Sequence, residues 1–251
     1  MELEGRVALV TGASGEGMGR SIALTLAREG ADIVVNYRRR ARRAQEVARV
    51  IGEMGRRSLV QQADVADPSA VQAMVEAALA AFGQIDILVN SAGGGWKPQD
   101  LTEIEPEHWR SVMAEEIDAS YLLMRAVLPG MRERGWGRII SIGGYEAENW
   151  RLGPPEAPLD YPLGKAARHW LTRTLAPREM VHGITINAIA PGPIPYISLE
   201  EAMEAVRGGP AWVRRDRSGP QDVAEAVAFL CSERARFLAG AVLTIPGARE
   251  V

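Results

Sequence analysis

Short apolar runs alternate with longer stretches whose apolar positions recur every three or four residues, and this alternation repeats along the whole chain. β-Branched runs at residues 7–10, 32–36, 58–63, 85–89, 138–142, 183–190 and 242–245 predict strands buried on both faces, as a parallel sheet requires. Between them the helical period predicts helices over 20–29, 41–54, 68–82 and 107–134, one beginning near Leu159, a short piece at 200–206, and a last one over 220–232. Gly30 is placed to end the first helix, Asp67 to cap the third, and Pro129-Gly130 to break the long fourth. A strand–helix order repeated with no second apolar core predicts a single α/β domain. Its architecture is a doubly wound parallel sheet of about seven strands with helices on both faces.

In such a sheet ligands sit at the carboxyl ends of the strands. The first strand ends in Thr11-Gly12-Ala13-Ser14-Gly15-Glu16-Gly17-Met18-Gly19, directly before a helix. Glycines there let the backbone approach a pyrophosphate, whose charge the free N–H groups and positive end of the helix stabilise. Gly-rich turns also serve as plain connections, so the neighbouring strand ends decide. Many NAD sites carry an acidic residue about 20 positions further on, which holds the ribose 2′-OH. Here the second strand ends in Asn36-Tyr37, followed by Arg38, Arg39 and Arg40. Guanidinium groups suit a 2′-phosphate and favour NADP(H); Glu16, and the alternative that the arginines only solvate the next helix, keep NAD(H) open. Asp64-Val65 follows the third strand, on the adenine side or as turn chemistry. Asn90-Ser91-Ala92-Gly93-Gly94-Gly95 follows the fourth and reads as a border to the cofactor or a pliable loop.

Composition narrows the class. The chain has 251 residues, 47% hydrophobic content and a formal net charge of -3, so it buries a full core and offers no general attraction for nucleic acid or an anionic membrane. A small-molecule partner is expected. Cys231 is the only cysteine, the N-terminal stretch lacks the pattern of a secretory signal, and no run approaches the roughly 20 apolar residues of a membrane span. The expected location is the cytoplasm.

Only Lys97 and Lys165 are lysines, which makes Tyr161-Pro-Leu-Gly-Lys165 informative. On a helix positions i and i+4 share a face, so the ammonium is expected to stabilise the Tyr161 phenolate and bring its pKa from about 10 toward neutrality. The pair would then exchange a proton with substrate. Glu115 and Glu116 interrupt the apolar stripe of the fourth helix, where acidic residues usually lie at an edge. Residues 192–218, from Gly192 onward, are expected to form a lid. Trp96, Tyr145, Trp150, Tyr196, Met203 and Trp212 either line an apolar pocket or pack as surface clusters.

Taken together, Thr11-Gly12 with Gly17-x-Gly19, Asp64-Val65, Asn90-Ser91-Ala92-Gly93, Tyr161-x-x-x-Lys165, Pro191-Gly192-Pro193-Ile194 and Gly219-Pro220-Gln221-Asp222-Val223-Ala224 resemble the short-chain dehydrogenase/reductase family over essentially the whole chain. The nearest likeness is to 3-oxoacyl-carrier-protein reductases and related carbonyl reductases. The resemblance implies a Rossmann-like sheet, NADP(H) or NAD(H), a carbonyl or alcohol substrate, and a homo-oligomer, a tetramer or a dimer. It implies that Tyr161 is the proton donor or acceptor and that Lys165 holds the nicotinamide ribose. It also implies cofactor contacts at Gly12, Ser14, Gly17, Met18, Gly19, Tyr37, Arg38, Arg39, Asp64, Val65, Asn90, Ala92, Gly93, Pro191, Gly192 and Ile194.

Three departures accompany the match. Four residues separate Gly12 from Gly17 where the family usually has three. The family's catalytic serine aligns with Gly144, which leaves Tyr145 as the expected substitute hydroxyl, since Ser141 lies three residues earlier on the opposite strand face. The family's helix asparagine aligns with Glu116, whose carboxylate is expected to hold a relay water. The interval from Gly144 to Tyr161 is also long, and Glu146, Asn149 and Trp150 are candidates to enter the site. A catalytically weak or inactive NADP(H)-binding protein is the competing reading.

Overall fold

The computed structural model describes residues 1–94, 96–145, 147, 158–209 and 218–247. Seven strands, β1 (Val7–Val10), β2 (Asp32–Tyr37), β3 (Ser58–Gln62), β4 (Ile87–Asn90), β5 (Gly137–Ile142), β6 (Ile184–Pro191) and β7 (Val242–Ile245), form one sheet in the order β3-β2-β1-β4-β5-β6-β7. Every pairing is parallel. The helices are α1 (Met18–Arg28), α2 (Ala41–Glu53), α3 (Pro68–Phe82), α4 (Pro106–Met113), α5 (Ala119–Arg134), α6 (Asp160–Glu179), α7 (Leu199–Gly208) and α8 (Pro220–Cys231).

Strand side chains alternate between two cores, as the two-residue period of a strand demands. Ala8, Val10, Ile33, Val35, Ile87, Val89, Ile140 and Ile142 pack with residues of α1, α2 and α8. Val7, Leu9, Val34, Leu88, Ile139, Ile184 and Ile186 pack with residues of α3 and α5. The doubly wound expectation is met, with boundaries moved by a residue or two. Asp67 caps α3 as the sequence predicts, its carboxylate accepting from the Ser69 and Ala70 N–H groups.

The long fourth helix differs from expectation. Pro129 lies inside α5 without ending it, because Val127, Leu128 and Met131 around it are packed in the core. The irregularity falls earlier, at a single π-type turn over Ala114–Asp118 that joins α4 to α5. A π-turn releases a carbonyl from the α-helical ladder. Here the Glu116 carbonyl oxygen accepts from Ser120 Oγ at 2.8 Å and from Arg168 Nε at 3.1 Å. The turn also buries the Glu116 side chain completely.

Candidate active site

The sheet order reverses between β1 and β4, where open α/β sheets leave a crevice. The loops after these strands and the first turns of α6 enclose a cavity of about 600 Å³ there.

One end is built from backbone. Gly12 has φ +66°, and a Cβ on Gly19 would stand 2.7 Å from the Gly12 carbonyl oxygen, so the turn closes only with glycine at both positions. No side chain caps α1, whose first N–H groups face the cavity turn. A backbone cradle at an uncapped helix N-terminus fits a pyrophosphate. Asn36 occupies the place of an acidic ribose ligand. Its Oδ1 accepts from Gly12 N at 3.2 Å, and its Nδ2 donates to the Ala63 carbonyl at 3.2 Å, so it ties the ends of β1, β2 and β3 together. Arg38, Arg39, Arg40, Asp64 and Val65 continue the wall. Arg38 pairs with Glu115 at 2.7 Å and Asp64 at 3.6 Å, and Arg43 meets Glu16 at 2.9 Å. The segment after β6 folds back onto the turn: Ile197 N donates to the Glu16 carbonyl at 3.1 Å, an Arg20 guanidinium N–H donates to the Ile197 carbonyl, and the Tyr196 ring lies against Gly17.

Ser14, Met18, Ala92, Gly93, Pro191 and Gly192 also line the cavity. Tyr37 and Ile194 instead pack against the core, and Asn90 is buried behind the wall.

The other end is built from charged side chains. Tyr161 and Lys165 sit one turn apart on α6, and both line the cavity. The Lys165 ammonium lies 5.0 Å from the Tyr161 ring centroid but only 3.1 Å from Glu116 Oε2. Arg168 Nε lies 2.9 Å from the same carboxylate oxygen. The expected acidified phenol is therefore corrected: burial, and then the Glu116 charge, push the Tyr161 phenol up to about 12, against a smaller opposing effect of Arg168. Burial and the neighbouring Arg168 bring the Lys165 ammonium down to about 8, with Glu116 pulling the other way. Glu116, expected to hold a relay water, makes direct contacts on both carboxylate oxygens. Its second oxygen, Oε1, accepts from Gly94 N at 2.8 Å, so the carboxylate is held between two cations and a backbone amide.

Tyr145, expected to stand in for the serine hydroxyl, lies at the rim rather than in the cavity wall. Its N–H bonds the Pro191 carbonyl at 3.0 Å, its side chain is exposed, and it is absent from the cavity wall. Ser141 is fully buried and also absent from the wall. Gly143 lines the cavity, with the buried His169 ring directly behind its Cα, where no Cβ fits. At Gly144 a Cβ would stand 3.1 Å from both Cβ and Cγ of Lys165. Trp96 meets Tyr161 edge-on, with ring centroids 5.8 Å apart, and Tyr196 lines the cavity, whereas Met203 packs on the core. Glu146, Asn149, Trp150 and Trp212 lie outside the described residues.

Arg168 is the residue the sequence reading missed. It follows Lys165 by three positions on the same helical face, but in a chain whose basic residues are nearly all arginine one more arginine carries no signal. Only the fold brings it to Glu116.

Residues 12–247 match a family model described as enoyl-(acyl carrier protein) reductase. The chain is 34% identical over 249 residues to the 3-oxoacyl-[acyl-carrier-protein] reductase FabG of Escherichia coli, covering 98% of each protein. It is 31% identical over 253 residues to the short chain dehydrogenase/reductase astE of Aspergillus oryzae, covering 97% of this chain and 94% of that protein. Among solved structures, a 7α-hydroxysteroid dehydrogenase complexed with NADH and 7-oxo glycochenodeoxycholic acid superposes with a TM-score of 0.84 at 30% identity, over 99% of this chain and 96% of that one. No helix among the described residues is long and apolar enough to cross a membrane. The chain belongs to the short-chain dehydrogenase/reductase family.

Proposed function

We propose that this oxidoreductase moves hydride between NADP(H) and a carbonyl or alcohol carbon, with Tyr161 exchanging the proton. The observation that carries the reading is one cavity with a glycine cradle at one end and Tyr161 beside Lys165 at the other. The cradle suits a dinucleotide because Gly12 and Gly19 leave no room for side chains between backbone and ligand. Gly12, Ser14, Gly17, Met18 and Gly19 would hold the pyrophosphate, and Asp64, Val65, Ala92 and Gly93 the adenosine half. Lys165 would hold the nicotinamide ribose, and Pro191 and Gly192 would border the nicotinamide. The nicotinamide supplies the hydride donor or acceptor.

Arg39 and Arg40, exposed on the wall, supply charge for a 2′-phosphate. Glu16 no longer argues against that phosphate, since Arg43 already meets its charge. A phenol held near 12 is protonated throughout the physiological range, which suits donation to a carbonyl oxygen. The exposed Trp96 and Tyr196 suit an apolar substrate. The segment from Gly192 through α7 acts as a lid, the assembly is a homotetramer or homodimer, and the location is cytoplasmic.

A second reading has its own observation. Lys165 is held by Glu116 and no hydroxyl stands at Gly144, so a catalytically weak or inactive NADP(H)-binding protein with an assembly role is the alternative. NADPH binding followed by fluorescence, with turnover of a carbonyl panel, separates the two. Binding with turnover abolished in Tyr161→Phe supports the first; binding with no turnover on any carbonyl supports the second.

A further inference from the structure

We propose that Glu116 and Arg168 form one interdependent positioning unit, in which Arg168 is the counter-charge that lets a buried carboxylate stand beside Lys165, and that this unit sets how tightly Tyr161 holds its proton. The inference rests on Tyr161 being the proton-exchanging group, and deepens that reading by naming what governs it.

The niche is built for both partners. A Cβ on Gly93 would overlap the Glu116 carboxylate, and one on Gly164 would stand 2.5 Å from Glu116 Cβ, so two glycines on different elements clear the space the side chain fills. Arg168 is fully buried and spends its N–H groups on the strand ends and the π-turn. It donates to the carbonyls of Asn90 (3.1 Å), Ile142 (3.0 Å), Ala92 (2.6 Å), Glu115 (3.2 Å) and Glu116 (3.1 Å). A guanidinium so fixed cannot follow the carboxylate, so the carboxylate is positioned against it.

Charge counting gives the consequence. At the alkaline pH where a Tyr161 phenol held near 12 loses its proton, Lys165, brought down to about 8, is already neutral, so Arg168 and Glu116 face the phenol with one charge of each sign. Removing Glu116 alone leaves the Arg168 cation facing Tyr161 and makes its proton easier to lose. Removing Arg168 alone leaves the Glu116 carboxylate unbalanced and makes the proton harder to lose. Removing both restores the balance. The other titratable groups around this set do not change that count: Tyr196 and the flanking Asp160, which pairs with His108 at 3.3 Å, are common to all variants, and burial among Arg173, Lys165 and Arg168 brings His169 down to about 4, leaving it neutral.

The test is an alkaline tyrosinate difference titration by ultraviolet absorbance on the intact protein, with Tyr161→Phe subtracted to isolate that phenol. Glu116→Gln is expected to lower the midpoint by about one pH unit or more, the scale of a single close charge, and Glu116→Gln/Arg168→Met to return it toward the wild-type value. Arg168→Met alone, which leaves the buried Glu116 carboxylate with Lys165 as its one remaining cation, is expected to melt at a lower temperature than the double variant; if it fails to fold while the double variant folds, the interdependence is equally supported. Equal midpoints in wild type and Glu116→Gln, or a double variant no more stable than Arg168→Met, would overturn the proposal. The titration needs no turnover, so an enzyme inactive on every carbonyl refutes the proposed reaction while leaving this test intact.

Discussion

At the glycine turn the cavity wall is backbone, fixed by positions where no side chain fits, whereas at α6 it is the side chains of Tyr161 and Lys165, backed by the buried charges of Glu116 and Arg168. The first kind of wall is set by sterics and responds little to pH. The second depends on three ionised groups and changes when any one of them does. The cavity thus pairs a rigid half suited to holding a ligand with a tunable half suited to moving a proton, and variants on each half should fail in different ways.

The largest expected effect is at the charged half. Tyr161→Phe should lower turnover by about 10²–10⁴ while NADPH affinity stays near wild type, measured by steady-state rates beside fluorescence titration. Equal losses in both would erase the distinction between the halves. Gly19→Ala should do the reverse. Its Cβ meets the Gly12 carbonyl oxygen at 2.7 Å, so the turn must shift, at an overpacking cost of about 1–3 kcal/mol and with NADPH affinity falling tenfold or more. The Tyr161 titration should not move.

A pH experiment sharpens the comparison further. Lys165 titrates at about 8 in the folded protein against 10.5 for the free group, so between these values the unfolded chain binds more protons. Stability should therefore rise with pH from 8 towards 10. Above 10 the trend should reverse, because the unfolded Tyr161 phenol loses its proton while the folded one holds it to about 12. Lys165→Met should abolish the rise, which melting curves from pH 7.5 to 9.5 would register; Gly19→Ala should keep it. The smallest effect is at Arg38. Its pairs with Glu115 and Asp64 lie near the surface and already meet its charge, so Arg38→Ala should change stability by less than about 1 kcal/mol and leave the preference for NADPH over NADH, which rests on Arg39 and Arg40, in place.

The two halves were also unequally legible in the sequence. Glycines, strand ends and caps are local signals, so the turn from Gly12 to Gly19, the seven strands and the Asp67 cap of α3 could be read from neighbouring residues. The Tyr161–Lys165 spacing was equally local. The charged cluster was not, since Glu116 and Arg168 are 52 positions apart and meet only through a π-turn that no periodicity predicts. For the same reason spacing identified the ammonium one turn from Tyr161 but not the carboxylate that holds it.

The crowding at Gly144 bears on any attempt to give this protein a fuller set of catalytic hydroxyls. A serine grafted there would press its Cβ against the aliphatic stem of Lys165, and that stem is tethered through its ammonium to Glu116. Adding the hydroxyl would thus require α6 and the Gly144 loop to part by a few tenths of an ångström, and any such shift would be felt at the ammonium's contact with Glu116.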